Sequence, residues 1–365
     1  MNSERPLSSS VMEYLRSEPF PERACDKDED FLLLLNLLST HHLDRCSEYS
    51  QIVRMLFPDV TRAESLEEVP FIPVRLFKLM RLASIPIAET VKTMTSSGTT
   101  GQAVSQIFLD KNTAMAQSKA LSQITASVLG KSRMPMLIAD SLAVNKNREM
   151  FSARGAGIRG FSVFGRDIEY MLDDQMKLRT DAVLSFLEKH DESPVFVFGF
   201  TYMIWEHICA ELERLGQTLP IHRGILLHGG GWKKLASLNI GTAEFSARVK
   251  NLLGIARVVN YYGMVEQTGS IFIECEMNYL HSSSYSEVIV RNPITLQPNT
   301  PGEEGILQLL SVLPMSYPGH SILTEDLGTV VGDDGCMCGR PGRHFVVSGR
   351  IKDAEIRGCS DTFNS

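Results

Sequence analysis

The sequence predicts an α/β fold with an additional β-rich subdomain, and three regional patterns indicate this architecture. Between residues 130 and 260, short apolar runs alternate with longer amphipathic stretches, as in a sheet whose strands are connected by helices. Beyond residue 285, apolar runs follow one another with little helical periodicity between them. Residues 1–90 are polar with helical apolar spacing, so a helical segment is expected before the sheet.

Each predicted element has its own local signal. The helical segment has apolar faces at residues 31–35 and 52–57, and the prolines that follow are Pro70, Pro73 and Pro86. In the α/β part, strands are predicted at residues 134–139, 195–200, 224–228 and 257–260, and helices at residues 180–190 and 204–215. In the β-rich part, strands are predicted at residues 286–291, 305–313 and 328–331. The predicted division is a helical segment (1–90), an α/β core (91–285), a β subdomain (286–348) and a C-terminal segment (349–365).

Composition and charge exclude several classes of protein. The 365 residues are 43% hydrophobic, enough to bury a substantial core, and 36 basic against 43 acidic residues give a net charge of -7. This balance gives no electrostatic reason to expect a nucleic-acid partner. No apolar run is long enough for a membrane span, and the first twenty residues lack the apolar stretch of a secretory signal. Seven cysteines, an odd number, argue against a disulfide framework and predict a reducing, cytoplasmic location.

A run of small residues at positions 95–101 is suited to binding phosphate. Glycine lets backbone N–H groups approach a ligand closely, and hydroxyl groups add hydrogen-bond donors around an anion. On composition alone, an exposed polar linker is the commoner structure for such a run. It is not a P-loop, because no Gly-Lys-Ser/Thr follows. The run consists of Thr95, Ser96, Ser97, Gly98, Thr99, Thr100 and Gly101.

Four further motifs follow this run in the chain. Gly229, Gly230 and Gly231 begin a turn after a predicted strand, although an ordinary strand-to-helix turn has a similar composition. Tyr262, Gly263 and Glu266 follow the next strand, where a lone glutamate is more often a solvated surface residue. The last two motifs are Thr324-Glu325-Asp326-Leu327-Gly328 and Gly349-Arg350-Ile351-Lys352-Asp353.

The order of these five motifs resembles that of the adenylate-forming superfamily of acyl-CoA ligases, luciferases and adenylation domains. Within it, the run Gly-Gly-Gly-Trp-Lys and residues 263–302 and 348–362 resemble the acyl-protein synthetase (LuxE-like) branch, near the phenylacetate-CoA-ligase-like proteins. The resemblance covers about three quarters of the chain. It implies the large N-terminal domain of an adenylate-forming enzyme, with a β-rich subdomain.

The resemblance also implies a role for each motif. Residues 95–101 hold the phosphates of ATP, and residues 229–231 form the turn on which adenine lies. Tyr262 and Gly263 border the adenine, and Glu266 binds Mg²⁺, a hard cation that prefers carboxylate oxygen. Asp326 accepts hydrogen bonds from the ribose hydroxyls, and Arg350 belongs to the hinge before a small C-terminal domain.

Three features depart from the family's pattern. Many members carry a lysine soon after the second glycine of the phosphate loop, whereas residues 102–105 contain none, as in the two branches named above. Glu325 replaces a glycine, so a stiffer loop is expected there. Because the sequence ends at Ser365, the C-terminal domain and its lysine are expected to be truncated. Another residue or a partner subunit would then replace that lysine, or adenylation would be slow.

The implied function is ATP-dependent activation of a carboxylic acid as acyl-AMP, followed by transfer of the acyl group to a thiol. The thiol is an internal cysteine, CoA or the phosphopantetheine of an acyl carrier protein, and an acyl-reductase is a further candidate partner. The acid is fatty, aryl or polyketide. The aromatic and Met side chains at residues 198–203 suit an apolar acid, although most of them are expected to be core. The alternative function is a degenerate adenylate-binding scaffold with little turnover.

Two sets of cysteines are further candidates. Cys275, His281, Cys336 and Cys338 form a Cys₃His set that suits a structural zinc ion, and some phenylacetate-ligase-like relatives have comparable elements. Four unrelated residues are the alternative. Cys359 is the candidate acyl acceptor, because the stretch around it resembles the self-acylating C-terminal region of LuxE-like proteins, and Arg357 would favour its thiolate. The alternatives are a free cysteine at a chain end and a residue beside the path of a CoA or carrier-protein thiol.

Overall fold

The computed structural model describes residues 6–21, 27–96, 103–145, 153–230, 235 and 240–351. The α-helices are α1 (Leu7–Tyr14), α2 (Lys27–Arg45), α3 (Ser47–Leu56), α4 (Leu76–Leu79), α5 (Lys111–Leu129), α6 (Ala153–Ser162), α7 (Thr180–Lys189), α8 (Thr201–Met203), α9 (Ala210–Leu215) and α10 (Thr242–Leu253). A π-helix, Ile204–Cys209, joins α8 to α9. Short 3₁₀-helices cover Leu66–Glu68, Ile87–Glu89, Leu142–Asn145 and Val265–Gln267.

The strands are β1 (Ile72–Pro73), β2 (Lys92–Thr95), β3 (Gln106–Leu109), β4 (Met134–Ser141), β5 (Gly165–Leu172), β6 (Val195–Phe200), β7 (Gly224–Gly229), β8 (Arg257–Tyr262), β9 (Phe272–Glu274), β10 (Leu280–His281), β11 (Ser286–Arg291), β12 (Gly305–Ser311), β13 (Ser321–Gly332) and β14 (His344–Arg350). The chain forms two compact units. The first comprises the described parts of residues 1–96, 103–127 and 263–355, and the second comprises those of residues 128–262. The four-part division expected from the sequence stays a prediction.

The second unit is built on a parallel sheet with strand order β8-β7-β6-β4-β5. The four apolar runs predicted here as strands are confirmed, because β4, β6, β7 and β8 begin where those runs begin. Strand β5 was not predicted, because no apolar run marks it in the sequence. Its middle residues, Arg166, Asp167 and Glu169, are polar, as suits an edge strand with one exposed side.

The two helices predicted in this unit are present, with one change. Helix α7 agrees with the prediction for residues 180–190. The second helix starts at Thr201, three residues earlier than expected, and passes through the π-helix before α9. The earlier start follows from the buried face, which continues back from Leu212 through Ile208 and Ile204 to Thr201 at helical spacing.

The first unit contains an antiparallel sheet with strand order β11-β12-β13-β14-β10-β9, and β1 adds to β13 in parallel. Strands β2 and β3 form a separate antiparallel pair. Strand β11 covers the predicted residues 286–291, and the strand expected at 328–331 is part of the longer β13. The first half of β13 was not predicted, because polar residues interrupt the apolar run there.

No helix in the described part of the chain combines the length and the apolar character that crossing a membrane requires.

A buried histidine pair lies in the first unit, between α2 and the residues just before β13. The rings of His42 and His320 stack with centroids 5.0 Å apart, and neither side chain is exposed. His42 Nε2 donates to the Pro314 carbonyl at 3.0 Å, so its Nδ1 accepts from the Ser84 hydroxyl at 2.7 Å. His320 Nε2 lies 2.9 Å from Ser39 Oγ. Burial lowers the pKa of His320 to about 3 and that of His42 well below its usual value.

Because both histidines are neutral when folded, the first unit is expected to lose stability in mild acid. Below the unfolded pKa of about 6.5, the unfolded state binds protons that the folded state excludes, so the free energy of unfolding decreases toward pH 3 by up to about 2.7 kcal/mol per pH unit for two histidines. Glu266 of the same unit acts in the opposite direction, since burial raises the pKa of its carboxyl. Urea unfolding of the parent and of His320→Gln between pH 5 and 7.5 measures how the free energy of unfolding depends on pH with and without His320. Equal slopes in the two proteins would contradict the assignment.

Candidate active site and metal site

The predicted phosphate loop is the connection between β2 and β3. Thr95 ends β2, and Ser96 donates its backbone N–H to the Ser105 carbonyl at 3.2 Å. The Ser105 N–H donates to Ser96 Oγ at 2.9 Å in return. These bonds hold the two ends of the loop together, as in a β-hairpin. The other predicted loop residues lie outside the described part of the chain, and they are Ser97, Gly98, Thr99, Thr100 and Gly101.

Glu266 lies in the 3₁₀-helix Val265–Gln267 and is buried, with 6% of its surface exposed. Burial raises the pKa of its carboxyl, while the Ser105 side chain, its own backbone N–H and the charges of Lys78 and Arg350 act in the opposite direction. The pKa remains raised, so these groups do not fully compensate the buried negative charge. A bound divalent cation would supply the missing positive charge, and the carboxylate therefore fits a Mg²⁺ ligand.

The backbone that carries Glu266 is fixed by residues outside the motifs. Gln267 Nε2 donates to the Leu309 and Gly319 carbonyls at 3.0 and 2.8 Å. A Cβ at Gly319 would lie 2.8 Å from the Glu266 carbonyl oxygen, so only glycine permits this close approach. Gly269 has a φ of +92° and packs against the Gln117 backbone of α5, where a Cβ would come within 2.6 Å. No local sequence pattern predicts these contacts, because each of them joins segments that are distant in the chain.

Asp326 and Arg350 are opposite each other in the β13–β14 pair. Arg350 Nε donates to Asp326 Oδ1 at 2.6 Å, and Arg350 Nη1 lies 3.7 Å from Glu325 Oε2. Glu325 also accepts from Arg75, whose Nη2 lies 2.8 Å from Oε1. Thus the predicted ribose ligand and the predicted hinge arginine are direct neighbours, in the unit that contains Glu266.

The predicted adenine turn begins at the end of β7 in the second unit. Gly229 pairs with Tyr261 of β8, and a Cβ at Gly229 would lie 2.5 Å from the Tyr261 carbonyl oxygen and 2.7 Å from its ring. Gly230 has a φ of +67°, which favours glycine, and Gly231 lies outside the described residues. Successive strand side chains point to opposite faces, so half-buried Tyr262 faces away from Tyr261.

The aromatic and Met residues considered for the acid lie in the core. Phe198, Phe200 and Met203 are buried, whereas Tyr202 is half-buried. Helix α6 packs on this strand end through Gly157, where a Cβ would lie 3.2 Å from the Phe200 ring. This agrees with the expectation that most of these residues are core.

A buried ion pair that was not predicted from the sequence lies beside this strand end. Arg154 Nε of α6 lies 3.0 Å from Asp140 Oδ2 at the end of β4, and both side chains are almost completely buried. Asp140 Oδ1 also accepts from the Ser141 N–H at 2.7 Å. The pair places two opposite charges inside the second unit, where loss of one partner would leave the other unpaired.

The four residues predicted as a zinc site converge in the first unit. Cys275 and His281 come from the β9–β10 hairpin, and Cys336 and Cys338 come from the connection between β13 and β14. Their ligand atoms all lie within 4.8 Å of one another. The Cys275 and Cys336 sulfurs are 3.8 Å apart, and Cys338 Sγ lies 3.4 Å from His281 Nε2.

The Cys275–Cys336 and Cys338–His281 distances match those of a tetrahedral zinc site. Zn–S bonds of about 2.3 Å and a Zn–N bond of about 2.0 Å place two sulfurs about 3.8 Å apart and sulfur about 3.5 Å from nitrogen. In addition, the Met277 and Arg340 N–H groups point at the Cys275 and Cys338 sulfurs, at 3.3 and 3.5 Å. Backbone N–H donors to the sulfur atoms are a common feature of metal-binding cysteines, and they orient the two side chains.

The remaining described cysteines are poor nucleophiles. Cys46 and Cys209 are buried, and burial raises the pKa of both thiols, that of Cys209 to about 12. The predicted acceptor, Cys359, lies outside the described residues. All five described cysteines are free.

Comparison with known proteins identifies a family whose model matches this chain and solved structures with a similar fold. The family model "Acyl-protein synthetase, LuxE" matches residues 2–365. Two curated relatives are long-chain-fatty-acid–luciferin-component ligases. The one from Vibrio harveyi is 22% identical over 81% of this chain and 78% of its own length, and the one from Aliivibrio fischeri is 21% identical over 73% and 70%.

Among solved structures, an open form of 2-hydroxyisobutyryl-CoA ligase in complex with its acyl-AMP and CoA has a TM-score of 0.69. It is 15% identical, and the match covers 92% of this chain and 77% of that chain. A postadenylation form of the same ligase also has a TM-score of 0.69, with 14% identity. The predicted fold class, the large domain of an adenylate-forming enzyme, is thereby confirmed.

Proposed function

Because the chain belongs to the acyl-protein synthetase (LuxE) family, it is a ligase that activates an acid with ATP and transfers the acyl group to a thiol, and we propose a long-chain fatty acid as its substrate. This choice is supported by the names of both curated relatives. The alternative of a scaffold with little turnover receives no support from the family match.

One observation carries the assignment of the nucleotide site. In the first unit, the buried Glu266 carboxylate is stabilised by a hydrogen bond from the side chain of Ser105, at the base of the predicted phosphate loop. It is also stabilised by the positive charge of Arg350, which binds Asp326. Three segments that are far apart in the sequence thus interact with the Glu266 carboxylate, whose negative charge they do not fully compensate. ATP is proposed to meet the ends of the loop through its phosphates and Asp326 through its ribose. The adenine role of Gly229, Gly230 and Tyr262, which belong to the second unit, stays a separate prediction.

The chemistry has two steps. An oxygen of the acid carboxylate attacks the α-phosphorus of ATP, the bond to the β-phosphate oxygen breaks, and pyrophosphate leaves. A thiolate then attacks the acyl carbon, and AMP leaves with the electrons of the acyl–oxygen bond. When bound, Mg²⁺ supplies positive charge to the phosphates, and Glu266 is the residue that would hold it. Arg350 orients Asp326 through their hydrogen bond.

ATP–pyrophosphate exchange with a series of acids tests the function. We expect exchange that depends on a long-chain fatty acid and is weak with aryl acids. Exchange that depends only on an aryl acid would overturn the choice of substrate. No exchange with any acid, together with tight binding of acyl-AMP, would overturn turnover by the isolated chain and favour the scaffold.

For the second step, we propose Cys359 as the acceptor, with CoA and carrier-protein phosphopantetheine as alternatives. The described thiols support this choice, since Cys46 and Cys209 are buried and the other three belong to the Cys₃His cluster. An acylated cysteine would then deliver the acyl group to an acyl-reductase or a carrier protein. A cytoplasmic location is part of this proposal.

We also propose that the Cys₃His cluster binds one structural zinc ion, as its two atom–atom distances support. The ion would join two hairpins that are about sixty residues apart, and its binding would contribute to folding rather than to catalysis. We expect one zinc per chain by elemental analysis of protein purified without chelator. Replacing Cys336 by serine is expected to remove the zinc and to lower the free energy of unfolding by about 3 kcal/mol or more.

The matched control is Cys209→Ser, which changes a buried cysteine of the second unit outside the cluster. It is expected to retain the zinc even if it is destabilised. Parent protein without stoichiometric zinc, or Cys336→Ser with zinc fully retained, would refute the site.

A further inference from the structure

We propose that Arg75 and Glu325 are positioning residues for nucleotide binding, because they hold Arg350 in place against Asp326. This inference rests on the proposed function, since it takes Asp326 as the ribose ligand. Arg75 lies outside the motifs that implied the site, and Glu325 occupies the position within its motif where the family's pattern has a glycine without a side chain.

The four side chains form a continuous chain of ion pairs. Glu325 is buried and receives two guanidinium groups on different oxygens. Arg75 contacts Oε1 through Nε at 2.9 Å and Nη2 at 2.8 Å, and Arg350 Nη1 lies 3.7 Å from Oε2. Arg350 in turn donates from Nε to Asp326 Oδ1 at 2.6 Å. The Nη1 group of Arg350 is thus directed toward Glu325, while its Nε donates to Asp326.

The main chain fixes the partners of this network. Strand β1 pairs in parallel with β13, with Ile72 opposite Ile322, and the Val74 N–H donates to the Leu323 carbonyl at 2.9 Å. Arg75 follows immediately, so its guanidinium group is anchored at the level of Glu325. On the other side, the Ile351 N–H donates to the Glu325 carbonyl at 3.1 Å. These bonds distinguish the network from an isolated surface ion pair between two long, flexible side chains.

The network predicts that nucleotide binding depends on two residues, Arg75 and Glu325, that are not assigned to contact the nucleotide. With Glu325 in place, Arg350 is held by two carboxylates and the Asp326 carboxylate by a fixed donor, so both are preorganised before ATP arrives. Without Glu325, Arg350 has other orientations available, and binding must order it. Since the same cost applies to bound ATP and to the transition state, KM for ATP is expected to rise while kcat changes little.

The experiment measures KM for ATP and kcat in acid-dependent exchange for Arg75→Met, Glu325→Gln and the double variant. We expect about a tenfold rise in KM for ATP in each single variant and a change in kcat below about twofold. In the double variant, KM for ATP should not exceed the higher of the two single-variant values. Arg75→Lys, which keeps the charge, should recover part of the loss. Arg214→Met is the matched control, because it removes an exposed Arg–Glu pair of the second unit.

Equilibrium dialysis with radiolabelled ATP provides a readout that does not require turnover. A roughly tenfold weaker Kd in Glu325→Gln and Arg75→Met, with the melting temperature of Arg75→Met unchanged, would support the inference even if exchange failed. A parent protein that shows no exchange with any acid would count against the proposed function alone. Unchanged KM and Kd in both single variants, or fully additive losses in the double variant, would overturn the inference.

Discussion

Replacement of Glu266 by glutamine is expected to abolish acid-dependent pyrophosphate exchange, with a loss of at least about 100-fold, the size seen when one preorganised charged group is removed from an active site. The amide has nearly the same shape but no negative charge for Mg²⁺. Because burial raises the pKa of the Glu266 carboxyl, the neutral side chain is tolerated at this position, and the urea midpoint should stay the same or rise. Exchange assays and urea unfolding of the same preparations test both statements.

Two further variants make this prediction specific. Asp326→Ala is expected to abolish exchange as well, through loss of the ribose contacts and of the partner of Arg350. Glu287→Gln is the matched control, since Glu287 is a buried glutamate of the same unit that accepts from the Ser282 hydroxyl at 2.6 Å, outside the proposed site. Pyrophosphate exchange at the parent rate in both Glu266→Gln and Asp326→Ala would contradict the assignment of these residues to the nucleotide site.

Replacement of Cys359 by serine is expected to separate the two half-reactions. Exchange should remain within about twofold of the parent, whereas the hydroxylamine-sensitive acyl label on the protein should fall to background, because the thiolate that attacks the acyl carbon is missing. Protein incubated with ATP and a labelled fatty acid, then analysed by mass spectrometry, shows both the acid chosen and the residue that carries it.

Cys25→Ser is the matched control for this variant, because it makes the same substitution at a cysteine that is neither in the Cys₃His set nor the predicted acceptor. It is expected to accumulate label at the parent rate. If Cys359→Ser is labelled as fast as the parent, the acceptor is another thiol. If neither protein is labelled but acyl-CoA forms when CoA is added, CoA is the acceptor and the internal cysteine is not.

The sequence by itself determined much of the fold, for a local reason. A strand buried on both faces is usually apolar along its length, and β6 therefore has the same bounds as its apolar run in the sequence. Edge strand β5 and the first half of β13 lack such runs, so only their pairing with neighbouring strands reveals them. The order of the five motifs also indicated the adenylate-forming fold before any contact was known.

Tertiary structure alone decided which of the candidate residues meet. The four residues of the Cys₃His cluster were recognisable as ligand types, but their convergence depends on two hairpins whose β10 and β14 strands pair. Likewise, Glu325 was recognisable only as a departure from a pattern, and its contacts with Arg75 depend on the pairing of β1 with β13. Apolar periodicity specifies which face of an element is buried. The partner of a charged or metal-binding side chain is instead set by strand pairing and packing between segments that are distant in sequence.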